Sequence, residues 1–227
     1  MRHEFRKEMS LLEDTLKLQA REAANAMKRA AASLKDANLA LAESVIDADR
    51  HIDFLERNVD DMGISLLARQ APVAGDLRTV VSAMRLAATL ERMGDLARHV
   101  AYIARGRFPQ TATDGPAYDL LTNMADAAAA VGKKVSELVE TQDLAIAKEI
   151  EDDDEILDTY HRQSFDLVLD ESNQLSRQEV VDVVLIGRFL ERYGDHAVSV
   201  ARRMTFLVTG FTQDHSGLPG TEEEMLG

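Results

Sequence analysis

The sequence predicts an all-α protein built from two tandem antiparallel three-helix bundles. Apolar residues recur at spacings of three and four along most of the 227-residue chain, as on the buried face of an amphipathic helix. The four prolines, at positions 72, 109, 116 and 219, fall where that pattern is interrupted. The second half of the chain also repeats the first, so each half is expected to fold into the same unit.

The first two helices are predicted on either side of a short polar turn. The first helix runs from about residue 5 to residue 34, and the second from about residue 39 to residue 68. The turn between them, KDAN at residues 35–38, offers Asp36 or Asn38 as the N-cap of the second helix.

A third helix is predicted at about residues 77–105. The stretch RQAPVAGD, residues 69–76, interrupts the pattern before it, and Gly106 and Pro109 follow it, as is usual at a helix C-terminus. The segment GRFPQTATDGP, residues 106–116, is rich in glycine, proline and threonine, and it is the predicted linker between the two halves.

Three further helices are predicted in the second half. Pro116 suits the first turn of a fourth helix that reaches about Thr141. A fifth helix is expected at about residues 144–173. The sixth opens with the capping-box pattern SRQE, residues 176–179, and ends near Gly210.

An internal repeat of about 100 residues sets the domain organisation. Two related motifs have glutamates at positions 91 and 191, and 191 − 91 = 100. Identical residues at the same offset include Val80/Val180, Leu90/Leu190, Arg92/Arg192, Ala97/Ala197 and Val100/Val200. We therefore expect one repeat at residues 1–107, a second at residues 116–210, and a polar tail without stable structure at residues 211–227.

The amino-acid composition argues against several classes of function for this protein. The formal net charge is −14, which disfavours nucleic acid as a partner because nucleic-acid phosphates are also negative. The chain has no cysteine, so thiolate metal sites and cysteine catalysis are excluded. Neither a signal peptide nor an apolar run long enough for a membrane helix is found, and a cytoplasmic location is expected.

Two acidic pairs occupy the same place in the two repeats. Glu91 and Asp95 lie in ERMGD, and Glu191 and Asp195 lie in ERYGD. A single pair at this spacing is typical of a solvated helix face, and two like charges four residues apart repel. The pair nevertheless occurs twice, each time with a glycine inside it that lets another group approach closely. These four carboxylates are therefore the main candidate metal ligands.

The second helix of each repeat carries further acids at four-residue spacing. They are Asp49 and Asp53 in the first repeat and Asp154 and Asp158 in the second. Neighbouring antiparallel helices can bring such pairs together into an oxygen-rich pocket that suits Mg²⁺, Mn²⁺ or iron. These four acids are secondary candidate ligands.

Two points are left open by the sequence. Ile52 matches Ile156 at an offset of 104 residues, whereas the acids of the second helices match at an offset of 105. His99 lies eight residues after Glu91, where it is either an added metal ligand or a half-exposed polar residue; the second repeat has Ser199 there.

The repeat and its motifs resemble the PhoU family of phosphate-uptake regulators. That family consists of tandem three-helix repeats with an E(D)-x-x-x-D signature in the last helix of each, here ERMGD and ERYGD. The stretch RQAPVAGDLR, residues 69–78, is similar to another family hallmark, and the resemblance extends over about residues 5–208. Many members have asparagine eight positions after the signature glutamate, whereas this chain has His99 and Ser199.

The resemblance implies a cytoplasmic adaptor that restrains the phosphate-starvation response. Such an adaptor acts between the ATPase subunit of the Pst phosphate ABC transporter and a phosphate-sensing histidine kinase. The resemblance also implies a homodimer, and iron or another metal bound at Glu91, Asp95, Glu191 and Asp195.

No catalytic motif is found in the sequence, so the protein is not expected to be an enzyme. One alternative is a ferritin-like di-iron oxidoreductase, which needs Glu-x-x-His on two helices. The nearest match is a single Asp158-x-x-His161. The other alternative is a purely structural helical scaffold whose acids are solvated.

Overall fold

The computed structural model describes residues 2–211, and the described residues form six α-helices, one short 3₁₀ turn and no strand. The helices are α1 Arg2–Asp36, α2 Leu39–Gln70, α3 Ala74–Arg107, α4 Gly115–Thr141, α5 Leu144–Leu169 and α6 Arg177–Thr209. The predicted all-α class and the six-helix architecture are confirmed. The predicted tail lies outside the described residues, except for Phe211.

Side-chain caps fix several helix starts. The Asn38 side chain accepts a hydrogen bond from the backbone N–H of Leu41, so Asn38 is the N-cap of α2. At the start of α6, Ser176 accepts from the backbone N–H of Glu179, whose side chain accepts from the N–H of Ser176. The predicted capping box is therefore confirmed.

Two predicted helix boundaries were wrong. Helix α3 begins at Ala74 instead of residue 77. The break before it, residues 71–73, contains Pro72, and extended Val73 is the N-cap of α3. Helix α5 ends at Leu169 instead of residue 173. The side chain of Asp170 accepts a hydrogen bond from the N–H of Ser172 and so starts a separate 3₁₀ turn at Glu171–Asn173.

Each repeat is a three-helix bundle, and the two bundles pack together through counterpart helices. Helix α1 packs on α4, and α3 packs on α6. Helices α1 and α4 are antiparallel, because Lys17 pairs with Glu140 at 3.6 Å and Lys35 with Asp126 at 3.0 Å. Helices α3 and α6 are also antiparallel, because His99 packs on Phe189 and Arg107 pairs with Asp182. Helices α2 and α5 pack mainly within their own repeats and form the outer flanks. The hydrophobic core is continuous through both repeats.

No helix in residues 2–211 combines the length and the apolar character needed to cross a lipid bilayer.

Candidate metal centres

Two glycines fix how the acid-bearing helices face each other. A Cβ atom placed on Gly94 would lie 2.9 Å from Cδ1 of Ile52, so α2 and α3 approach closely there. A Cβ atom on Gly194 would lie 2.8 Å from Leu157 and would also touch Asp154. The glycines therefore lie at close helix contacts, where a larger side chain has no room.

The register between α2 and α5 follows from these contacts. Ile52 and Leu157 are both buried against their glycines, whereas 48% of the Ile156 side chain is exposed. The correct offset is therefore 105 residues. Asp49 corresponds to Asp154, and Asp53 corresponds to Asp158. The acids of α2 and α5 thus lie at equivalent positions beside the signature acids of α3 and α6.

The first cluster contains Asp49, Asp53, Glu91 and Asp95, and an arginine lies among them. Asp49 is 3% exposed, and its Oδ2 accepts a short hydrogen bond from Arg98. The other terminal nitrogen of Arg98 donates to Asp95 Oδ1 at 2.6 Å. Arg98 therefore joins an acid of α2 to an acid of α3.

Burial and mutual repulsion raise the pKa values of this cluster. The pKa of Glu91 is raised from 4.5 to about 7, mainly by burial and then by the charge of Asp95, against the opposing effect of Arg92. Burial also raises the pKa of Asp49, although Arg98 opposes it. Protons are thus held more tightly than usual at both positions.

The second cluster contains Asp154, Asp158, Glu191 and Asp195. The pKa of Asp154 is raised from 3.8 to about 6, first by burial and then by the other three acids. Burial and Asp195 raise the pKa of Glu191, whose carboxylate pairs with Arg188 at 2.6 Å. These mutual effects show that the structure brings the four predicted acids near one another.

Two residues that the sequence analysis had not assigned to the clusters also lie beside them. Glu56 in α2 is close enough to Glu91 to raise its pKa, and His161 in α5 is close enough to Glu191 to lower its pKa. The two residues are 161 − 56 = 105 positions apart, so they occupy the same place in the two repeats. The sequence contained a signal for both residues. At the offset of 105 residues they align with each other, and each lies three positions after the second acid of its pair, Asp53 or Asp158.

His99 faces away from the acids of α2. Its ring packs against Phe189 of α6 with the centroids 5.0 Å apart, and burial lowers its pKa. Ser199, its counterpart, donates its hydroxyl to the backbone carbonyl of Asp195 in the same helix. The structure therefore places His99 at the contact between the repeats.

The carboxylate oxygens of the two clusters are ligands that suit a hard cation. In this structure, however, the side chains do not surround one point as a closed coordination sphere would. Within residues 2–211, no three acidic or histidine side chains converge closely enough to hold one ion. Yet Asp49 Oδ1 and Asp154 Oδ1 are buried, and neither oxygen has a hydrogen-bond partner in the described part of the molecule. Buried carboxylate oxygens need a proton, a donor or a cation. Because the acids do not converge, a metal would bind only if the side chains around these oxygens moved.

Comparison with known proteins identifies the family. The family model described as the PhoU domain matches residues 16–104 and again residues 121–204, so each match contains one signature pair. The chain belongs to the PhoU family. Relatives align along nearly their full lengths, including PhoU homolog 2, a phosphate-specific transport system accessory protein of Mycobacterium bovis. It is 40% identical over 210 residues, which cover 92% of this chain and 99% of that protein.

Other PhoU proteins agree with this assignment. PhoU homolog 1 of Mycobacterium leprae, also named a phosphate-specific transport system accessory protein, is 38% identical over 221 residues, covering 97% of this chain and all of the relative. The crystal structure of PhoU from Pseudomonas aeruginosa superposes with a TM-score of 0.81 at 26% identity, covering 91% of this chain and 100% of that one. PhoU from Streptococcus pneumoniae, at 23% identity, shares the fold with the same TM-score over 92% of this chain and 99% of that one.

Proposed function

We propose that this protein is a negative regulator of the phosphate-starvation response and of phosphate uptake. It acts as a cytoplasmic adaptor between the ATPase subunit of the Pst phosphate ABC transporter and a phosphate-sensing histidine kinase, and it works as a homodimer. The observation that carries the proposal is the match of the whole six-helix fold, with both signature pairs, to accessory proteins of the phosphate-specific transport system.

Metal binding by the acid clusters is the second part of the proposal. Iron, Mn²⁺ or Mg²⁺ would be held by Glu91 and Asp95 or by Glu191 and Asp195, with help from the acids of α2 and α5. Burial and then repulsion between carboxylates raise the pKa values of Glu91 and Asp154, and a bound cation would offset the repulsion. Each cluster joins two helices on one flank of the bundle, so a cation there would stiffen that flank.

The ferritin-like alternative lacks a matching pair of ligand motifs. Its Asp158-x-x-His161 segment lies on α5, but the residue of α2 equivalent to His161 is Glu56. A di-iron oxidase needs a histidine from each of two helices. The structure therefore offers no observation that favours this alternative, and the regulatory proposal stands without an enzymatic step.

Deletion of the gene tests the regulatory role. Loss of the protein should raise expression of phosphate-starvation genes in phosphate-rich medium, and the wild-type gene should restore repression. Complementation with Glu191→Gln plus Asp195→Asn should fail to restore it fully, because the second cluster loses two of its four carboxylates. Glu43→Gln plus Asp47→Asn is the matched control, since it alters an exposed pair with the same spacing on α2.

Three outcomes separate the parts of the proposal. Unchanged expression after deletion, in a strain without a second copy of the gene, refutes the regulatory role. Full complementation by the acid-cluster variant refutes a regulatory use of metal but leaves the adaptor role intact. Elemental analysis of the purified protein then distinguishes a metal-binding regulator from a scaffold with solvated acids.

A further inference from the structure

The contact between α3 and α6 brings two arginines to the same level. The register of this antiparallel contact is fixed at one end by Arg78 of α3, whose guanidinium lies against Gly210, just after α6. Seven residues further into the contact, or about two helical turns, α3 carries Arg85 and α6 carries Arg203. Because positions seven apart share a helix face, both arginines lie beside the crevice between the two helices. Arg85 is exposed there, and Arg203 is half-buried.

Neither arginine is paired with an acid of the described residues, although the chain has 40 acidic and only 26 basic residues. Within residues 2–211, no ion pair includes Arg85 or Arg203. The pKa of Arg203 is lowered, first by burial and then by the charge of Arg85, and no acid among the described residues opposes this shift. On the flank of α6, Glu151 of α5 lies 3.5 Å from the neighbouring Arg202 instead. All eight residues three or four positions from either arginine on its own helix are uncharged.

The internal repeat shows the same contact without the arginines. At the offset of 100 residues, the counterpart of Arg85 is Leu185. The counterpart of Arg203 is Ile103, which packs against the hydrophobic core. Each counterpart lies four residues beyond the histidine–phenylalanine ring contact of α3 with α6, so the two are again at one level. Two apolar side chains therefore satisfy the packing between these helices, whereas the arginines add charge repulsion and desolvation that packing does not require.

We infer that Arg85 and Arg203 form a binding site for a phosphate group at the crevice between α3 and α6. A guanidinium donates two parallel hydrogen bonds to phosphate oxygens, and two guanidiniums match the roughly two negative charges that a phosphate group carries at neutral pH. The bound anion offsets the repulsion between the arginines. The choice of phosphate among oxyanions rests on the proposed function, whereas the site itself rests on the arginine pair.

Two sources of a phosphate group share this chemistry: inorganic phosphate and a phosphorylated side chain of a partner protein. Either one joins α3 of the first repeat to α6 of the second, because each helix supplies one arginine. Occupancy of the site therefore strengthens the contact between the repeats, and the stability of the protein is expected to depend on the anion.

Isothermal titration calorimetry with sodium phosphate measures the site in the purified full-length protein, with chloride keeping the ionic strength constant. The wild type should bind phosphate in a saturable manner, with one anion per chain. Arg85→Leu plus Arg203→Ile installs the counterpart residues of the other repeat and should abolish binding. Arg21→Gln plus Lys28→Gln is the matched control, since it removes two exposed positive charges from α1 and should bind phosphate as the wild type does.

Thermal unfolding separates loss of the site from loss of the fold. In chloride, the Arg85→Leu plus Arg203→Ile protein should melt at or above the wild-type temperature, because the repulsion between the arginines is gone. Phosphate should raise the melting temperature of the wild type and leave that of the double variant unchanged. Arg203→Gln keeps a polar side chain at the half-buried position, and it should weaken phosphate binding roughly ten-fold or more because one charged hydrogen-bond donor is lost.

A phosphoserine peptide and its unphosphorylated form distinguish the two sources. Tighter binding of the phosphopeptide than of inorganic phosphate assigns the site to a partner's phosphoryl group, and binding of inorganic phosphate alone assigns it to the free anion. No saturable binding of either probe overturns the inference, as does unchanged phosphate binding by the folded double variant or by Arg203→Gln. Failure of the site leaves the regulatory proposal standing, because deletion of the gene tests that role separately.

Discussion

Replacing Glu91 with glutamine should stabilise the metal-free protein at alkaline pH. The carboxyl has a pKa of about 7 in the folded protein against 4.5 normally, so the folded state binds the proton more tightly than the unfolded state. Its contribution to stability is complete below pH 4.5 and is lost as the pH rises through 7. Wild-type protein in chelator should therefore lose stability between pH 5 and pH 8, and the glutamine variant should lose less.

The size of the effect follows from the two pKa values. The difference between about 7 and 4.5 sets an upper limit of about 3 kcal/mol, at about 1.4 kcal/mol for each pKa unit. The side chain is 21% exposed and Arg92 lies 3.4 Å away, so solvent screening and the lost ion pair reduce the expected gain to about 1–2 kcal/mol at pH 8. At pH 5 the two proteins should be nearly equal in stability.

Urea unfolding at a series of pH values, with chelator throughout, measures this gain. The exposed Glu43→Gln is the control, and its stability should follow that of the wild type at every pH. A Glu91→Gln protein no more stable than wild type at pH 8 would refute the reasoning. So would a gain of the same size at pH 5 and pH 8, because that would point to packing and not to charge.

Two packing predictions follow from buried contacts. Gly94→Leu should destabilise the protein by about 1–3 kcal/mol in thermal unfolding, because even a Cβ atom there lies 2.9 Å from buried Ile52. Gly106→Ala is the control and should not destabilise the protein, since Gly106 has open space around it. Equal melting temperatures of Gly94→Leu and the wild type would contradict this prediction. Tyr193→Phe should raise the melting temperature, because the fully buried Tyr193 hydroxyl lies against Gly132 and has no hydrogen-bond partner in the described structure. A lower melting temperature would mean that the hydroxyl forms a hydrogen bond with water.

Most of the fold could be predicted because helix periodicity and caps are local properties. Asn38 and Ser176 cap helices at the starts that the sequence indicates. The internal repeat also shows the same three-helix pattern twice. The end of α5 was predicted four residues too late, although residues 170–174 are all polar. The side chain of Asp170 instead favours a local turn over another helical turn.

The sequence predicted which acids form the candidate sites, but not which side chains contact those acids. The i, i+4 spacing places each signature pair on one helix face, and this needs no knowledge of the neighbouring helices. Which basic side chain contacts Asp49 depends on how α2 and α3 pack, so the sequence alone did not indicate Arg98 as its partner. The register of α5 likewise became clear only when Leu157 was found against Gly194.

The antiparallel packing of α1 on α4 and α3 on α6 has a consequence for the origin of the chain. Each helix of this contact meets its own counterpart, which is the pattern of an isologous interface between identical subunits. A single ancestral repeat that associated with a copy of itself would reproduce this arrangement without any linker. Gene duplication and fusion then free the two copies to diverge, and a change at one of two equivalent positions, such as Glu56 and His161, becomes heritable in one half alone.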